Sequence, residues 1–371
     1  MSCKQVFILF LMLSASAKSN TVSAGQGPAD QSRLVGITNF AGFTAAPSSN
    51  LNEAVLLSQV IKAPMAWNEL VVSWNAESPP EAWLKVEARG IFPDHETKFY
   101  TLGFWSRVSA AHPRSSVRGQ KDADGTVNDD TLVLTRPGAD AQLRLTLGGP
   151  GAASRPQLKF LGLSFLDNRF VPAPLPPRRE VWGTIIPTPE RSQHSYEQGE
   201  GWCSPTSLSM VLTRWGEVLH RPELSLDVPE VAAGVHDPGL GGTGNWPFNT
   251  AFAGSFPGLR AYVTRFSDLS EVEDWIAAGI PVILSAHWDL LAPGRKPTGH
   301  GHLVVCIGFT ENGDAVINDP ATNLQKGQQV RHIYARENVI KAWKKSGNTV
   351  YLVYPETARL PADRFGHWET P

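Results

Sequence analysis

The stretch Gly201-Trp202-Cys203-Ser204-Pro205-Thr206-Ser207-Leu208-Ser209-Met210-Val211-Leu212 decides how the second half of the chain is read. Leu208, Val211, Leu212 and Trp215 recur at i, i+3, i+4 and i+7, one apolar face of an amphipathic helix. Pro205 suits its first turn and Gly216 a stop, so the spacing predicts a helix with Cys203 at its very start. Unpaired backbone N–H groups and the positive end of the helix dipole favour a thiolate there. A thiolate is the nucleophile of cysteine hydrolases, whereas the plainer alternative is a small buried residue that packs a helix start.

A cysteine nucleophile needs an imidazole to take its proton and a carboxylate or amide to orient that imidazole. His302 opens the apolar run Leu303 to Phe309, and Asp319 ends Val316-Ile317-Asn318-Asp319-Pro320. Glu311-Asn312-Gly313-Asp314 between them is a hairpin signal. With strand period two, His302, Val304 and Cys306 share a face. A tight turn centred on Asn312-Gly313 sets Asp319 opposite Cys306, four residues too far along to touch His302. Contact therefore requires a bulge or a loop about two residues wider. If Cys203 reaches His302, Cys306 lies roughly 13 Å from that histidine. A disulfide, with sulfurs ~2 Å apart, is then excluded, and Cys306 is expected to be a buried free thiol.

Working outward, Ser270 with Glu273 reads as a capping box for a short helix closed by Gly279, and Val282 to Ala286 and Val350 to Tyr354 read as strands. Upstream, Leu70–Trp74, Trp83–Ala88, Phe99–Trp105, Thr131–Thr135, Gln142–Leu147 and Gln157–Phe165 are short β-type runs broken by turn residues. Four prolines within 171–177 mark a stiff boundary between the two textures. The expected fold class is α+β, with an all-β sandwich-like domain at 30–170, a linker at 171–178, a mixed domain at 179–355 and a tail at 356–371. Lys4, the apolar run Val6 to Leu13 and Ala15-Ser16-Ala17 read as an export signal over 1–17, which points to a secreted or periplasmic protein.

The 371 residues carry 33 basic and 35 acidic side chains, a net charge of −2, which leaves no electrostatic footprint for nucleic acid. The mature chain contains no apolar run of the ~20 residues that a membrane span requires.

Arg191-Ser192-Gln193, the cysteine stretch quoted above, Gly301-His302-Leu303-Val304-Val305 and Asn318-Asp319-Pro320 together resemble secreted relatives of the bacteriocin-processing double-glycine cysteine peptidases, the Peptidase_C39-like group. The resemblance covers about residues 179 to 355 and implies a papain-like cysteine peptidase domain. By it, Cys203 is the nucleophile, His302 the general base and Asp319 its orienting partner. Gln193 matches the glutamine that helps bind the oxyanion. Family members carry that glutamine closer to the cysteine, so Gln198 is a second candidate, and Ser204 stands where glycine is commoner. The chemistry needs no cofactor, and the implied partner is a peptide or protein substrate, a cell-wall peptide among them. Two other functions stay open: a catalytically silent peptide- or glycan-binding module, and a transglutaminase-like acyl transferase.

Trp202, Trp246, His287 and Trp288 are candidates to line a substrate cleft, and Leu290 to Gly301 a loop over its entrance. His300-Gly301-His302 lacks a third and fourth zinc ligand nearby in sequence, and Asp122-Ala123-Asp124-Gly125 reads as a polar hairpin turn rather than a calcium loop, so no metal site is expected. Trp67, Trp74, Trp83 and Trp105 fit a β core better than a carbohydrate-stacking platform.

Overall fold

The computed structural model describes residues 31–369 except 109–111 and 113; the export segment expected at 1–17 lies outside the described residues. The first half forms ten strands: β1 (Ser32–Ile37), β2 (Thr44–Ala46), β3 (Glu53–Leu57), β4 (Glu69–Glu77), β5 (Trp83–Ile91), β6 (Tyr100–Trp105), β7 (Gly125–Asn128), β8 (Thr131–Leu134), β9 (Asp140–Gly148) and β10 (Gln157–Leu166). They build two antiparallel sheets, one ordered β1-β10-β4-β8-β7 and the other β2-β3-β9-β5-β6. Trp74 on β4 meets Trp105 on β6 edge-on, with ring centroids 6.5 Å apart, so apolar faces of the two sheets are in contact. Trp67, Trp74 and Trp105 are fully buried, and Trp67 Nε1 donates to the Ala139 carbonyl at 2.6 Å. Half-buried Trp83 packs beside Phe104 and His112, where Gly148 makes room for its ring. These indoles are core and sheet-edge packing, not a platform. Asp122 accepts from Tyr100 Oη (2.5 Å) and from the Asp124 and Gly125 N–H groups and pairs with Lys98, as a carboxylate that shapes a turn does.

The second half contains α1 (Cys203–Leu219), α2 (Val228–Val235), α3 (Trp246–Ala253), β11 (Leu259–Arg265), α4 (Leu269–Ala277), β12 (Val282–His287), β13 (Gly301–Phe309), β14 (Ala315–Asn318), β15 (Arg331–Tyr334), α5 (Arg336–Lys344), β16 (Thr349–Pro355) and β17 (Trp368–Glu369). Six of these strands form one antiparallel sheet ordered β11-β16-β12-β13-β14-β15. The buried stripe of α1 faces it: Ser207 Oγ donates to the Leu303 carbonyl (2.9 Å) and Trp215 Nε1 to that of Val353 (2.8 Å). The chain is thus α+β with antiparallel sheets.

Two local expectations are corrected. Gly216 does not stop α1, which runs on to a left-handed cap at His220 (φ 55°). Gly216 serves close packing instead, since a Cβ there would lie 2.9 Å from the Arg221 carbonyl. The cap of α4 is Asp268, which accepts from the Ser270 N–H at 2.7 Å, not Ser270 itself. Buried Glu273 turns away from the helix start and accepts from Trp182 Nε1, the Arg178 N–H and Arg336 Nη1.

The halves interlock along the outer edge of β11. Asn75 on β4 donates to the Ala261 carbonyl (2.6 Å) and accepts its N–H (3.1 Å), while Ser73 Oγ accepts the Val263 N–H (2.9 Å). Side chains of the first sheet thereby satisfy the exposed backbone of an edge strand, the groups that otherwise invite foreign pairing. The 171–178 segment is pinned to α4 by the Leu175 N–H on Asp268 and the Arg178 N–H on Glu273, both at 2.6 Å. The C-terminal segment returns to the first half, where β17 lies parallel to β1. Among the described residues no helix is long and apolar enough to cross a membrane.

Candidate active site

Cys203 is the first residue of α1, preceded by Gly201 in a left-handed conformation (φ +77°) that only glycine adopts without strain. Thr243 Oγ1 holds the Gly201 carbonyl at 3.0 Å. His302 is the second residue of β13, beneath α1, and its side chain is close enough to Cys203 to couple to it electrostatically. The backbone N–H groups of Leu303 and Ser204 also favour the thiolate of Cys203.

The register between β13 and β14 supplies the displacement that contact with Asp319 requires, in two steps. The connecting loop is Thr310–Asp314, so Phe309 faces Ala315 rather than Val316. A bulge between Cys306 and Gly308 adds the second residue, so Cys306 faces Ile317 and Val305 faces Asn318. Asp319 follows at the level of Val304, a diagonal step from His302, and His302 Nε2 meets Asp319 Oδ1 at 2.7 Å. Segment 182–186 enforces both steps. A Cβ on Gly308 would lie 2.1 Å from the Thr184 carbonyl oxygen, and one on Gly313 (φ +84°) would lie 2.4 Å from the Trp182 ring.

Asp319 is 1% exposed and both its oxygens are occupied: Oδ1 by His302 and the Ala321 N–H (2.9 Å), Oδ2 by Tyr334 Oη (2.6 Å). Burial alone would raise its pKa, but the charge and hydrogen bond of His302, with Tyr334 and Ala321, hold it well below the usual carboxylate range. Burial likewise opposes the imidazolium, yet Asp319 outweighs it and, with Cys203, lifts His302 to about 10. For Cys203, burial raises the thiol, while the hydrogen bond and charge of His302 and the two N–H donors bring it net below its ordinary value. All three shifts favour a thiolate–imidazolium pair. Cys203 and Cys306 are both free; Cys306 is fully buried, and burial pushes its thiol up to about 12.

Gln193 is buried in a short 3₁₀ turn, and its N–H donates to the Pro320 carbonyl at 2.9 Å, next to Asp319. Its Oε1 is buried without a hydrogen-bond partner. The ten-residue span from Gln193 to Cys203 is taken up by compact turns, in which Gly199 touches the Gln193 carbonyl so closely that any Cβ would clash at 1.7 Å. Gln198 is exposed on those turns.

Trp202 precedes Cys203 and lies 6.2 Å from the Tyr196 ring. His287, at the end of β12, pairs with Gly301 beside His302, and Trp288 follows. Trp246 stands apart from these. It opens α3, its N–H donates to Asp130 (2.7 Å), and the Arg265 guanidinium lies 5.6 Å from its ring centroid. It lines a cavity of about 870 Å³ between the halves that none of Cys203, His302 and Asp319 lines. Sequence reading missed Tyr334, because β15 carries no alternating pattern strong enough to place a residue beside Asp319.

Two family models divide the chain: the Peptidase C39 N-terminal domain matches residues 17–165 and the Peptidase_C39 like family residues 185–351. No curated protein matches. Among solved structures, a protein assigned as a C39-like peptidase, from Bacillus anthracis, is 17% identical, covering 47% of this chain and 98% of its own, with a TM-score of 0.37. A family two carbohydrate esterase from Cellvibrio japonicus is 13% identical over 51% of this chain and 50% of its own, at 0.15. An N-terminal and a peptidase-type match thus fall on successive parts of one polypeptide, and residues 185–351 are similar to the Peptidase_C39 like family.

Proposed function

We propose that the protein is an exported thiol hydrolase that cleaves peptide or amide bonds through an acyl-enzyme, in a papain-like domain. The observation that carries this reading is the placement of Cys203 at the start of α1 beside His302, whose ring meets buried Asp319 at 2.7 Å, an arrangement that lowers the thiol and raises the imidazole. Cys203 attacks the carbonyl carbon as thiolate. The oxyanion then forms against the Cys203 backbone N–H at the start of α1 and the side-chain amide of Gln193. The imidazolium of His302 gives its proton to the leaving amine as the C–N bond breaks, and the neutral ring next takes a proton from the water that hydrolyses the thioester. Asp319 holds the ring so that Nε2 faces the carboxylate and the other nitrogen faces sulfur.

A catalytically silent binding module has no use for a buried carboxylate–imidazolium pair, whose desolvation is costly. That cost favours the hydrolase over the silent module. Acyl transfer uses the same groups and differs only in the nucleophile that resolves the thioester. Export rests on the sequence pattern of residues 1–17. The substrate is a peptide or protein, and cell-wall peptides belong in the first screen.

Cys203→Ala is expected to abolish turnover of a peptide panel that the wild type cleaves, with an unchanged circular dichroism spectrum. Full residual activity in that variant refutes the assignment, and incorporation of an added amine in excess of hydrolysis redirects it to acyl transfer.

A further inference from the structure

We infer that Arg295 and Tyr334 are positioning residues for Asp319, and that through them the segment between β12 and β13 is tied to the orientation of His302. The inference rests on the reading of Cys203 as nucleophile.

Arg295 is the clasp of that segment. Its Nη1 donates to the Trp288 carbonyl at 2.8 Å, and its guanidinium lies 4.4 Å from the centroid of the Trp288 ring, so the segment folds back on itself around this side chain. The remaining end of the fork points out of the segment. Nη2 donates to Tyr334 Oη at 2.8 Å and lies 3.7 Å from Asp319 Oδ2. Tyr334 in turn donates its own O–H to Oδ2 at 2.6 Å. A phenol oxygen that accepts from a cation is a stronger donor, so Arg295 tightens the Tyr334–Asp319 bond as well as adding charge. Tyr334 is braced by stacking on His332 (5.3 Å, 10°), whose Nε2 meets Thr322 Oγ1 at 2.9 Å.

The groups that face Asp319 are therefore His302 from β13, Tyr334 from β15, Arg295 from the 288–300 segment and the Ala321 N–H from its own loop. With Oδ2 held, the carboxylate cannot rotate away from the imidazole without breaking a second charge-assisted bond. Take Arg295 off Tyr334 and the grip on Oδ2 weakens, the imidazolium loses support, and the thiolate it stabilises loses support in its turn. A position of the 288–300 segment that withdraws Arg295 is thus a position in which the site is less competent. In this way the segment that leads from β12 into β13 and the state of the nucleophile become linked.

The test is the rate of iodoacetamide labelling of Cys203 from about pH 4 to about pH 9, where the acid limb reports thiolate formation. It compares the full-length wild type with R295M, R295K and Y334F. R295M keeps the apolar stem over Trp288 and removes charge and donors; Y334F keeps the ring and its stacking. Both variants are expected to move the acid limb upward by about 0.5 to 1 pH unit, with R295K between them and the wild type. The value of kcat/KM falls about three- to tenfold in parallel. R295M alone should speed amide exchange within 288–300, because Y334F leaves the Trp288 clasp intact. A purely structural role would alter exchange or melting temperature and leave the acid limb in place. Acid limbs of Y334F and R295M that superimpose on a wild-type limb lying below the ordinary thiol range would overturn the inference; should R295M not fold, Y334F alone decides. A wild-type limb at the ordinary thiol pKa overturns the nucleophile assignment and this inference with it, and is recognised from the wild-type trace alone.

Discussion

Replacing Cys203 by alanine should change how stability depends on pH, with a sign that the site geometry dictates. His302 has a folded pKa of about 10 against an ordinary 6.5. Being raised, it contributes stability that is complete below pH 6.5 and is lost as pH climbs toward 10. Cys203 is lowered from 9.0, so its contribution is present above 9 and is lost as pH falls through its folded value. Above both 6.5 and the folded thiol pKa, and below 9, the wild-type native state holds one proton on His302 and none on Cys203, and the unfolded chain holds one on Cys203 and none on the imidazole. The proton has merely moved between groups, so this pair adds no slope there. Without the thiol His302 loses one of the groups that raise it, but Asp319, the larger contributor, still holds its proton in the lower part of that window, where the unfolded chain has released it. There the C203A variant should lose about 1.4 kcal/mol per pH unit relative to the wild type, and the loss ends as pH passes the variant's own imidazole pKa. Urea unfolding at half-unit steps from about pH 6 to about pH 9.5 measures it, and other groups, including buried Asp130 and the Glu271–His367 pair, cancel in the comparison. Parallel stability curves for the two proteins would refute the thiolate–imidazolium pair.

Two further predictions concern neighbouring residues. Gln193→Ala should lower kcat by about 10²- to 10³-fold with little effect on KM, the signature of a lost oxyanion donor, whereas Gln198→Ala should leave both unchanged; steady-state kinetics on one cleaved peptide decides, and the reverse ranking exchanges the roles. Asn75→Ala strands the buried N–H and carbonyl of Ala261, so it should destabilise the whole chain by about 2 to 5 kcal/mol, with both halves unfolding together. Cys306 labelling in urea reports the second half, and a midpoint equal to that of the wild type would show that the Asn75 contacts contribute nothing.

Much of the site was legible because its chemistry is local. A cysteine ahead of an apolar i, i+3, i+4, i+7 stripe must sit near a helix start, since the stripe has to face a core. Alternation around His302 places it on a strand, and the motifs around both residues carry a family likeness that the match to residues 185–351 bears out. The misreadings at Gly216 and Ser270 have a common cause. A glycine reads as a stop and a serine as a cap when only their neighbours in sequence are considered. At Gly216 the turn at 221–225 demands a missing Cβ, and at α4 Asp268 reaches the free N–H first.

The sequence by itself determined the types of the elements that carry Cys203 and His302, the position of Cys203 at a helix start, and the condition that Asp319 could reach His302 only through a two-residue displacement. Whether that displacement exists is not written in residues 302–319. It is divided between a wider loop and a bulge because the Thr184 carbonyl and the Trp182 ring press on Gly308 and Gly313 from a segment more than a hundred residues earlier. Tertiary structure alone also brought Tyr334 and Arg295 to the far side of Asp319 and set Trp246 in the cavity between the halves. Periodicity reports which face of an element is buried; the register between elements, and the partner found across a buried face, are settled by contacts that only the folded chain makes.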